Sequence, residues 1–486
     1  MNPLEPEGVD WAAAFVCPEC GHEGCEEHLP PESPAEERDH LTELGAAERF
    51  TRLHGHRMRY DHRRERWLLW EGHRWRPDAD TAVARLAFTF ARQWQREAFD
   101  ETATRREQVV KFTFALERRN TLANMLYLAR SLKPIADAGD HWDADPWLLG
   151  TPSGVVDLRT GTCRPGRPRD RLTMQTRAAF EPTAPCPRWE RFLTEVFDGQ
   201  DDLIAFLQRA VGYSLTGITT EQVLFMLYGT GANGKGTFVN TLKHALGDYA
   251  WNMPFATVEL HERSAIPNDI AALVNRRFVI ASETNDGARL NEARVKALTG
   301  CDPMTARFLH SEFFEFEPVA KFWLSVNHRP VVRDNSYGFW RRLRLIPFKH
   351  RFTLDGTLAA QLEAEAPGIL AWAVRGALAW QADGLTAPAI VVQATDAYEA
   401  ESDPLRDFLE EACEVSNPQA SEYAVPLFTR YKAWADRRGL GERDRDRLSQ
   451  TMFGRKMGER FEKDHDRKGW FYTGVTLGMW PLSEDS

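Results

Sequence analysis

Continuous apolar runs in the middle of the chain alternate with segments whose apolar residues recur at helical spacing. Residues 223–228 are apolar or aromatic throughout, and residues 238–246 place apolar side chains every three or four positions. Further apolar runs occupy 276–283 and 321–327, and another follows an arginine pair within 340–348. Such runs predict buried strands, and the helical spacing between them predicts helices. The pattern therefore predicts an α/β domain.

The segment before this domain mixes short strands with helical periodicity. Residues 57–60 and 67–75 predict short strands, the second turning near Gly72, and 80–135 carries apolar residues at helical spacing. Residues 189–213 form a strongly amphipathic helical region. The early part is rich in arginine, histidine and tryptophan, which either stack on bases or build a core. We favour the core for the tryptophans.

The composition changes near the end of the chain. Residues 403–480 predict three helices followed by two short strands, an order typical of a winged-helix domain. Residues 430–468 hold 13 Lys/Arg against 8 Asp/Glu, a net charge of +5 in an acidic protein. This basic face suits DNA, and the alternative is a helical packing or oligomerisation domain. The predicted helices are 403–414, 425–438 and 448–461, with strands around Gly469 and Gly474.

A glycine-rich turn joins the strand at 223–228 to the helix after it. Its glycines let backbone N–H groups converge on an anion, and the helix beginning near Lys235 directs its N-terminal dipole to the same point. Lys235 adds a charge for the β- and γ-phosphates, so this context predicts a phosphate loop. The residues expected to bind nucleotide are Gly229, Gly231, Asn233, Gly234, Lys235, Gly236, Thr237 and Phe238.

The position after the lysine departs from the usual phosphate-loop pattern. Serine or threonine normally follows the lysine and holds Mg²⁺, but here Gly236 follows it and Thr237 comes next. Thr237 can reach the metal, contact another phosphate or act through water.

Polar residues end the later strands. Glu283 closes the second strand, where we expect a carboxylate beside the loop. It is the candidate to polarise the attacking water and to orient hydrated Mg²⁺. Asn327 closes the third strand, where a neutral amide can sense the γ-phosphate. Arg341 and Arg342 precede the fourth strand, and their guanidinium groups suit transition-state charge. An ordinary surface arginine pair is the alternative.

Two further stretches carry open alternatives. Residues 308–316 alternate enough to predict a hairpin with His310 near its tip, which either enters a ring channel or only packs its phenylalanines. Asp143 and Asp145 could form a metal-binding carboxylate pair, but their turn context before Pro146 favours a capped turn.

A cysteine cluster lies at the N-terminus. Cys17, Cys20, Cys25 and His28 suit one tetrahedral structural Zn²⁺, and the alternative is a mobile cysteine-rich tail. The other four cysteines are scattered, so the total of seven does not indicate a disulfide framework.

Composition and charge narrow the class of protein. The chain has 486 residues, enough for several domains, with 43% hydrophobic and 27% charged residues. Neither an apolar run long enough to span a bilayer nor a signal region is found, so we expect no membrane segment and a cytoplasmic protein. The net charge of −10 does not exclude nucleic acid, because a ring that holds DNA in its channel can be acidic outside.

The ordered motifs resemble the superfamily 3 helicases, in particular the helicase portion of phage and plasmid primase-helicases and their poxvirus relatives. The motor motifs that carry this resemblance are 229–238, 278–283, 296–300 with 306–307, 325–330, and 339–342 with 346–348. Upstream, residues 44–49, 67–72, 151–161 and 186–189 resemble the helical domain that precedes the family's motor.

The resemblance implies an AAA+ motor that forms a hexameric ring on single-stranded and forked DNA. Together with the cysteine cluster, which lies outside the resemblance, it leads us to expect four regions: a zinc segment and linker (1–40), a mainly helical domain (41–200), the motor (201–390) and a winged-helix-like domain (395–486). The implied roles are ATP and Mg²⁺ binding by Lys235 and Thr237, the acid Glu283, the sensor Asn327, an arginine finger at Arg341 or Arg342, and channel contacts by Arg307 and His310.

The resemblance leaves two functions open. The first is an ATP-dependent DNA helicase or replication initiator of a phage, plasmid or other mobile element. The second is a DNA-binding ATPase switch that loads replication proteins or serves defence without processive unwinding. An interaction protein with a dead nucleotide site is disfavoured because Lys235 and Glu283 are both present. Full primase-helicases carry a polymerising domain before this region; we expect none here, and a separate primase or polymerase as partner.

Overall fold

The chain folds as a mixed α/β protein built around one parallel sheet. The computed structural model describes residues 39–260, 268–282, 287–307, 313–333, 336–403, 405–441 and 447–479. No helix in these ranges is both long and apolar enough to cross a membrane. Cys163, Cys186, Cys301 and Cys413 are free thiols.

The N-terminal region packs four helices against a small sheet of order β3-β2-β1-β4. Apolar side chains at helical spacing face the strands, so Phe50, Phe90 and Met125 share one core with Met58. Trp75 is buried in an adjoining cluster, which agrees with a core role for the tryptophans. The elements are α1 (Glu43–His54), β1 (Met58–Asp61), β2 (Arg66–Trp70), β3 (Trp75–Pro77), α2 (Ala82–Glu97), α3 (Ala103–Leu116), α4 (Arg119–Ala129) and β4 (Ala136–Asp137).

A three-stranded antiparallel sheet and two helices lead from this region to the central sheet. The amphipathic stretch predicted at 189–213 forms two helices instead of one, because residues 197–200 interrupt it. The region therefore holds two small sheets beside its helices. These elements are β5 (Leu148–Thr151), β6 (Gly154–Asp157), β7 (Thr162–Arg164), α5 (Pro187–Val196) and α6 (Asp201–Leu215).

The central sheet has five parallel strands in the order β14-β8-β13-β10-β9. Its strands are continuous apolar runs because both faces are covered: Phe225 and Leu227 face one core, and Leu224 and Met226 face the other. Four strands match the predicted runs, and the edge strand β9 was not predicted. The elements are β8 (Leu224–Tyr228), α7 (Lys235–Leu246), β9 (Ala250–Asn252), α8 (Asn268–Ala271), β10 (Phe278–Ser282), α9 (Glu292–Thr299), β11 (Met304–Ala306), β12 (Phe314–Phe316), β13 (Lys321–Val326), α10 (Tyr337–Trp340), β14 (Leu343–Pro347), α11 (Leu358–Ala364), α12 (Ala366–Asp383) and α13 (Ala389–Glu401).

Helices α6 and α12 meet through glycines. A Cβ on Gly212 would lie 2.0 Å from the backbone nitrogen of Ala377, and a Cβ on Gly376 would lie 2.0 Å from the carbonyl oxygen of Gln208. Two helices approach this closely only where a side chain is missing. This contact fixes the helical layer that lies behind β8.

The C-terminal region contains the three predicted helices and more strands than predicted. A three-stranded antiparallel sheet has the order β16-β18-β17, and β15 pairs with β19. Phe408, Tyr431 and Phe453, one from each helix, pack their rings together with Tyr472 in one core. The elements are α14 (Arg406–Ala412), β15 (Cys413–Glu414), β16 (Ser421–Tyr423), α15 (Ala424–Arg437), α16 (Gln450–Arg460), β17 (Glu462–Asp466), β18 (Gly469–Thr473) and β19 (Thr476–Leu477).

Candidate functional site at the carboxyl edge of the sheet

The carboxyl ends of neighbouring strands bring together residues that are far apart in the sequence. The glycine-rich loop follows β8 at Tyr228, and Asn327 follows β13 at Val326. Tyr228 and Val326 are directly paired, so the loop and Asn327 leave the sheet at the same level. Ligands of open parallel sheets bind outside this edge.

The glycines of the loop meet requirements of conformation and space. Gly231 and Gly234 have φ angles of 93° and 90°, in the left-handed region that glycine enters without strain. Gly229 has no room for a side chain, because a Cβ would lie 2.1 Å from Asn233 Nδ2 and 2.3 Å from the carbonyl oxygen of Phe348. The loop is therefore shaped by its own packing before any ligand arrives.

Lys235 is the first residue of α7 and lies under this loop. Its side chain is only 4% exposed. Its ammonium donates to the carbonyl oxygen of Gly229, to Asn233 Oδ1 at 3.1 Å and to Asn327 Oδ1 at 3.2 Å. These are neutral acceptors, and in the described ranges no carboxylate pairs with the amine. Burial accordingly lowers the pKa of Lys235 to about 8.

Helix α5 supports the loop from behind. A Cβ on Gly234 would approach Val196 Cγ2 to 2.9 Å and Phe192 Cε2 to 3.3 Å. One turn into α7, Phe238 is fully buried and stacks on Trp189, with ring centroids 5.5 Å apart. The amphipathic spacing of α5 predicted a buried face, but nothing in the sequence indicated that this face would hold the loop.

The next two positions of α7 differ in their surroundings. Gly236 is exposed, and a Cβ there would meet nothing within 4 Å. Thr237 is half-buried, and among the described residues its hydroxyl has no hydrogen-bond partner. The first turn therefore offers one unpartnered hydroxyl close to the lysine.

The strand order changes the expected position of the acid. Sequence reasoning expected the strand that ends in Glu283 to lie beside the loop. Instead β13 lies between β8 and β10, so Asn327 is the neighbour of the loop and Ser282 ends one strand further away. Glu283 itself lies outside the described residues.

The arginine pair lies at the opposite edge of the same sheet. The carbonyl oxygen of Arg342 accepts from the backbone N–H of Leu224, the first residue of β8. Gln222 Oε1 accepts from Arg341 at 2.5 Å and from Arg342 at 3.3 Å. Arg341 is exposed, whereas Arg342 is half-buried and also donates to the carbonyl of Gly338.

Gln222 is a residue that sequence reasoning missed. It lies between two predicted elements, and the two arginines that it binds are 119 and 120 residues away in the sequence. Local periodicity carries no signal at that range.

The predicted hairpin exists, but its arms differ from the prediction. β11 pairs with β12 in an antiparallel ladder, so the first arm precedes the predicted 308–316 segment. Arg307 follows the first arm, and its guanidinium lies 5.0 Å from the ring of Phe313, across the base of the turn. His310 lies outside the described residues.

The Asp143–Asp145 stretch is structural. Asp143 Oδ1 accepts from the backbone N–H groups of Thr173 and Met174 at 2.7 and 3.1 Å. Asp145 Oδ1 accepts from the N–H of Trp147 at 2.9 Å. Asp145 therefore caps its own turn, as favoured by the sequence, whereas Asp143 binds the backbone of a segment about 30 residues away.

The candidate zinc ligands Cys17, Cys20, Cys25 and His28 lie outside the described residues. Within the described ranges, no group of three or more His, Cys, Asp and Glu residues is placed to hold a metal ion.

Two family models match parts of the chain. Residues 47–198 match a family described as "D5 N terminal like", and residues 227–342 match a family of unknown function. The first covers the N-terminal region and α5, and the second covers the loop, Asn327 and the arginine pair.

Several proteins of large DNA viruses are similar to the chain. "Putative helicase L207/L206" of Acanthamoeba polyphaga mimivirus is 25% identical over 320 residues, which is 60% of this chain and 33% of that protein. "Putative helicase 022R" of Frog virus 3 is 24% identical over 388 residues, 61% of this chain and 39% of that protein. "Putative primase C962R" of African swine fever virus is 25% identical over 222 residues, 43% of this chain and 23% of that protein. The chain thus spans about a third of the length of the first two relatives.

Among solved structures, the apo structure of the NrS-1 C terminal region (305-718) is 13% identical, with a TM-score of 0.48 and coverage of 87% of both chains. An A form apo structure of the same region is 12% identical, with a TM-score of 0.42 and coverage of 74% of this chain and 75% of the other.

Proposed function

The chain belongs to the D5-like primase-helicase family, and on that premise we propose that it is an ATP-driven DNA helicase or replication initiator of a mobile element. The observation that carries the proposal is the buried ammonium of Lys235, whose hydrogen-bond acceptors among the described residues are all neutral. A buried cation without a carboxylate partner is costly unless a ligand supplies the anion. The triphosphate of ATP supplies it.

The loop and the helix behind it form the phosphate site. The β- and γ-phosphates replace Gly229 and Asn327 as acceptors of hydrogen bonds from the ammonium of Lys235, while the N–H groups at the start of α7 contribute their dipole. Asn327 then becomes free to sense the γ-phosphate. Its place beside the loop, one strand nearer than the predicted acid, suits that role.

Mg²⁺ and the catalytic acid complete the hydrolytic site. The unpartnered hydroxyl of Thr237 fits a ligand of Mg²⁺ or of its bound water, and Mg²⁺ would neutralise charge that develops on the transferring phosphoryl group. Strand β10 ends at Ser282, and we assign to Glu283, the next residue in the sequence, the role of polarising the attacking water.

A second copy of the chain supplies the arginine. Arg341 and Arg342 lie at the amino edge of the sheet, whereas the loop lies at its carboxyl edge. Neither side chain can span the sheet to its own phosphate site, so each would act on a neighbour. This arrangement supports an AAA+ motor of the superfamily 3 type in a ring, which we propose to be a hexamer.

DNA occupies the channel and the C-terminal domain. We assign the hairpin of β11 and β12 to the channel, with Arg307 and His310 as contacts. The order of three helices with the β16-β18-β17 sheet supports a winged-helix-like domain over 395–486. The motor then spans 201–390, and 41–200 forms the domain that precedes it.

The N-terminal segment, 1–40, is proposed to bind one structural Zn²⁺. Metal analysis of protein purified without chelator should find about one zinc per chain, because a closed tetrahedral site holds one ion. Protein without zinc that still folds and melts like the metal-supplemented sample would contradict this assignment.

Lys235→Ala tests the function. The variant should lose nearly all Mg²⁺-dependent ATP hydrolysis, whereas Lys243→Ala, on the same helix but in its last turn, should keep it. Strand displacement on forked DNA with 3′ or 5′ tails then separates a helicase from a switch. Hydrolysis without displacement on either fork would favour the loader function, and unchanged hydrolysis in Lys235→Ala would refute the nucleotide site.

A further inference from the structure

The hairpin of β17 and β18 separates its charges between two faces. Side chains alternate along a strand, and directly paired residues share a face. His465 pairs with Trp470 and Lys463 pairs with Tyr472, so these four residues share one face. Asp464 pairs with Phe471 on the other face, which also carries the remaining two acidic residues of β17. One face is therefore basic and aromatic, and the other is acidic.

The basic and aromatic face carries an indole that the domain core does not use. Trp470 is 53% exposed, whereas Tyr472 on the same face is buried and donates its hydroxyl to the carbonyl of Gly454 in α16. The face thus continues from the core, passes the end of α16 and extends into solvent. About half of the indole surface is therefore accessible to a ligand.

The ammonium of Lys463 and the imidazole of His465 lie next to this indole. Lys463 Nζ lies 4.5 Å from the ring centroid of Trp470, and the ring of His465 lies 5.0 Å from it. Lys463 forms no ion pair with any carboxylate in the described part of the chain. On the opposite face, by contrast, Asp466 accepts from the hydroxyl of Tyr423 and from backbone N–H groups of the turn. Asp466 is thus engaged in structure, whereas Lys463 lies against the indole without an ion pair in the described part of the chain.

We propose that this face, defined by Lys463, His465 and Trp470, is a binding site for unpaired bases of single-stranded DNA. The indole stacks on one base, and Lys463 contacts the adjacent phosphate. A stacked duplex hides the faces of its bases, so the site takes a single strand or the opened end of a duplex. The inference rests on the proposed function, since it locates a second contact with the same DNA.

Two oligomers of equal length separate stacking from charge. The full-length protein is titrated against labelled oligothymidylate and against an abasic strand, which keeps the phosphates and lacks the bases. Trp470→Ala should bind oligothymidylate about 5- to 100-fold more weakly, because one base loses its stacking partner. Affinity for the abasic strand should stay the same, and Trp470→Phe should recover part of the loss.

Charge and position provide the matched controls. Lys463→Gln should weaken both oligomers and reduce the slope of log K against log salt by about 0.7. Phe99→Ala removes an aromatic side chain that is similarly exposed, at 64%, in the N-terminal region, and should change neither affinity. The series is repeated in an Arg307→Ala background, so that the channel does not mask the hairpin. Melting temperature reports that each variant is folded.

The outcomes separate the two proposals. If folded Trp470→Ala binds oligothymidylate as tightly as the wild type does, in both backgrounds, the hairpin site is wrong and the proposed function still stands. Equal losses on both oligomers in Trp470→Ala would overturn stacking. Wild-type protein that binds neither oligomer would overturn the hairpin site and the DNA function together.

Discussion

Replacing Arg341 by alanine is expected to reduce ATP hydrolysis about a thousandfold, because an arginine finger in trans stabilises the charge of the transferring phosphoryl group. Of the two arginines, Arg341 is exposed and its side chain is held by Gln222. Arg342 is half-buried and also bound to Gly338. We therefore assign the finger to Arg341 and a positioning role to Arg342.

The distance across the sheet is the reason why we propose that the finger acts on another subunit. Leu343 pairs with Leu224 and Pro347 pairs with Tyr228, so β14 and β8 run side by side over their whole length. From Arg342 to the level of the loop the chain advances six residues, about 20 Å at the rise of a parallel strand. That separation exceeds the reach of an arginine side chain. The contribution of Arg341 to its own site is therefore nil.

The rate of ATP hydrolysis by rings that contain both variants tests this geometry. Lys235→Ala lacks a working phosphate site and Arg341→Ala lacks the finger, so each protein alone should retain only about a thousandth of the wild-type rate. In a random one-to-one mixture, about one interface in four joins an intact loop to an intact arginine, because a head-to-tail interface takes one edge from each chain. Steady-state hydrolysis of the mixture should therefore rise toward about a quarter of wild type.

Three controls make the result decisive. Each variant must assemble alone, and the exposed Arg375→Ala should hydrolyse ATP like wild type. Gln222→Ala should lower the rate less than Arg341→Ala, since it only loosens the arginine. Co-assembled rings no more active than the separate variants would refute the trans assignment, unless a covalently linked ring with a single Lys235→Ala subunit among wild-type subunits is also inactive, which would show that hydrolysis needs every interface.

Three further predictions follow from particular residues. Burial lowers the pKa of Lys235 from 10.5 to about 8, so its charge destabilises the nucleotide-free fold fully below pH 8, and this effect disappears as the pH rises to 10.5. Lys235→Met should therefore raise the free energy of unfolding by about 1–2 kcal/mol at pH 7, after allowance for solvent screening. The gain over wild type should vanish by pH 10.5, and a less stable variant at pH 7 would contradict the argument. Gly212→Ala should destabilise the fold by about 1–3 kcal/mol in chemical denaturation, because its Cβ meets backbone at 2.0 Å. Gly356→Ala, with nothing within 4 Å, should be neutral. Arg307→Ala combined with His310→Ala should weaken single-stranded DNA binding and lower its salt dependence; an unchanged affinity across a salt series would reject the channel assignment.

The sequence was most informative where local pattern and chemistry coincide. The run at 223–228 and the spacing of 238–246 predicted a strand and a helix, which are Leu224–Tyr228 and Lys235–Leu246. The glycines between them allowed only a tight turn. Three of the later runs, which end near Ser282, Val326 and Pro347, also became strands of the same sheet. Continuous apolar sequence is a reliable signal when a parallel strand is buried on both faces.

Such local patterns did not predict the order of the strands in the sheet. The edge strand β9 has three residues, too few for a periodic signal. The position of β13 between β8 and β10 depends on how helices cross the sheet, which no single segment encodes. For that reason Glu283 was expected beside the loop, where Asn327 lies instead. Gln222 was not predicted for a related reason, since its partners Arg341 and Arg342 are distant in the sequence.

The two edges of the sheet constrain how copies of the chain can assemble. One edge carries the loop with Lys235, and the other carries Arg341. In a two-fold symmetric dimer, residues that lie on the symmetry axis meet their own copies, so an axis at the carboxyl edge would bring two lysines together and an axis at the amino edge would bring two arginines together. Both of these arrangements oppose like charges and leave the phosphate site without a finger. A head-to-tail contact instead joins the arginine of one chain to the loop of the next. Such contacts repeat until they close into a ring or extend as a filament. A ring would also surround a single DNA strand, which the hairpin of β11 and β12 could then contact in the channel.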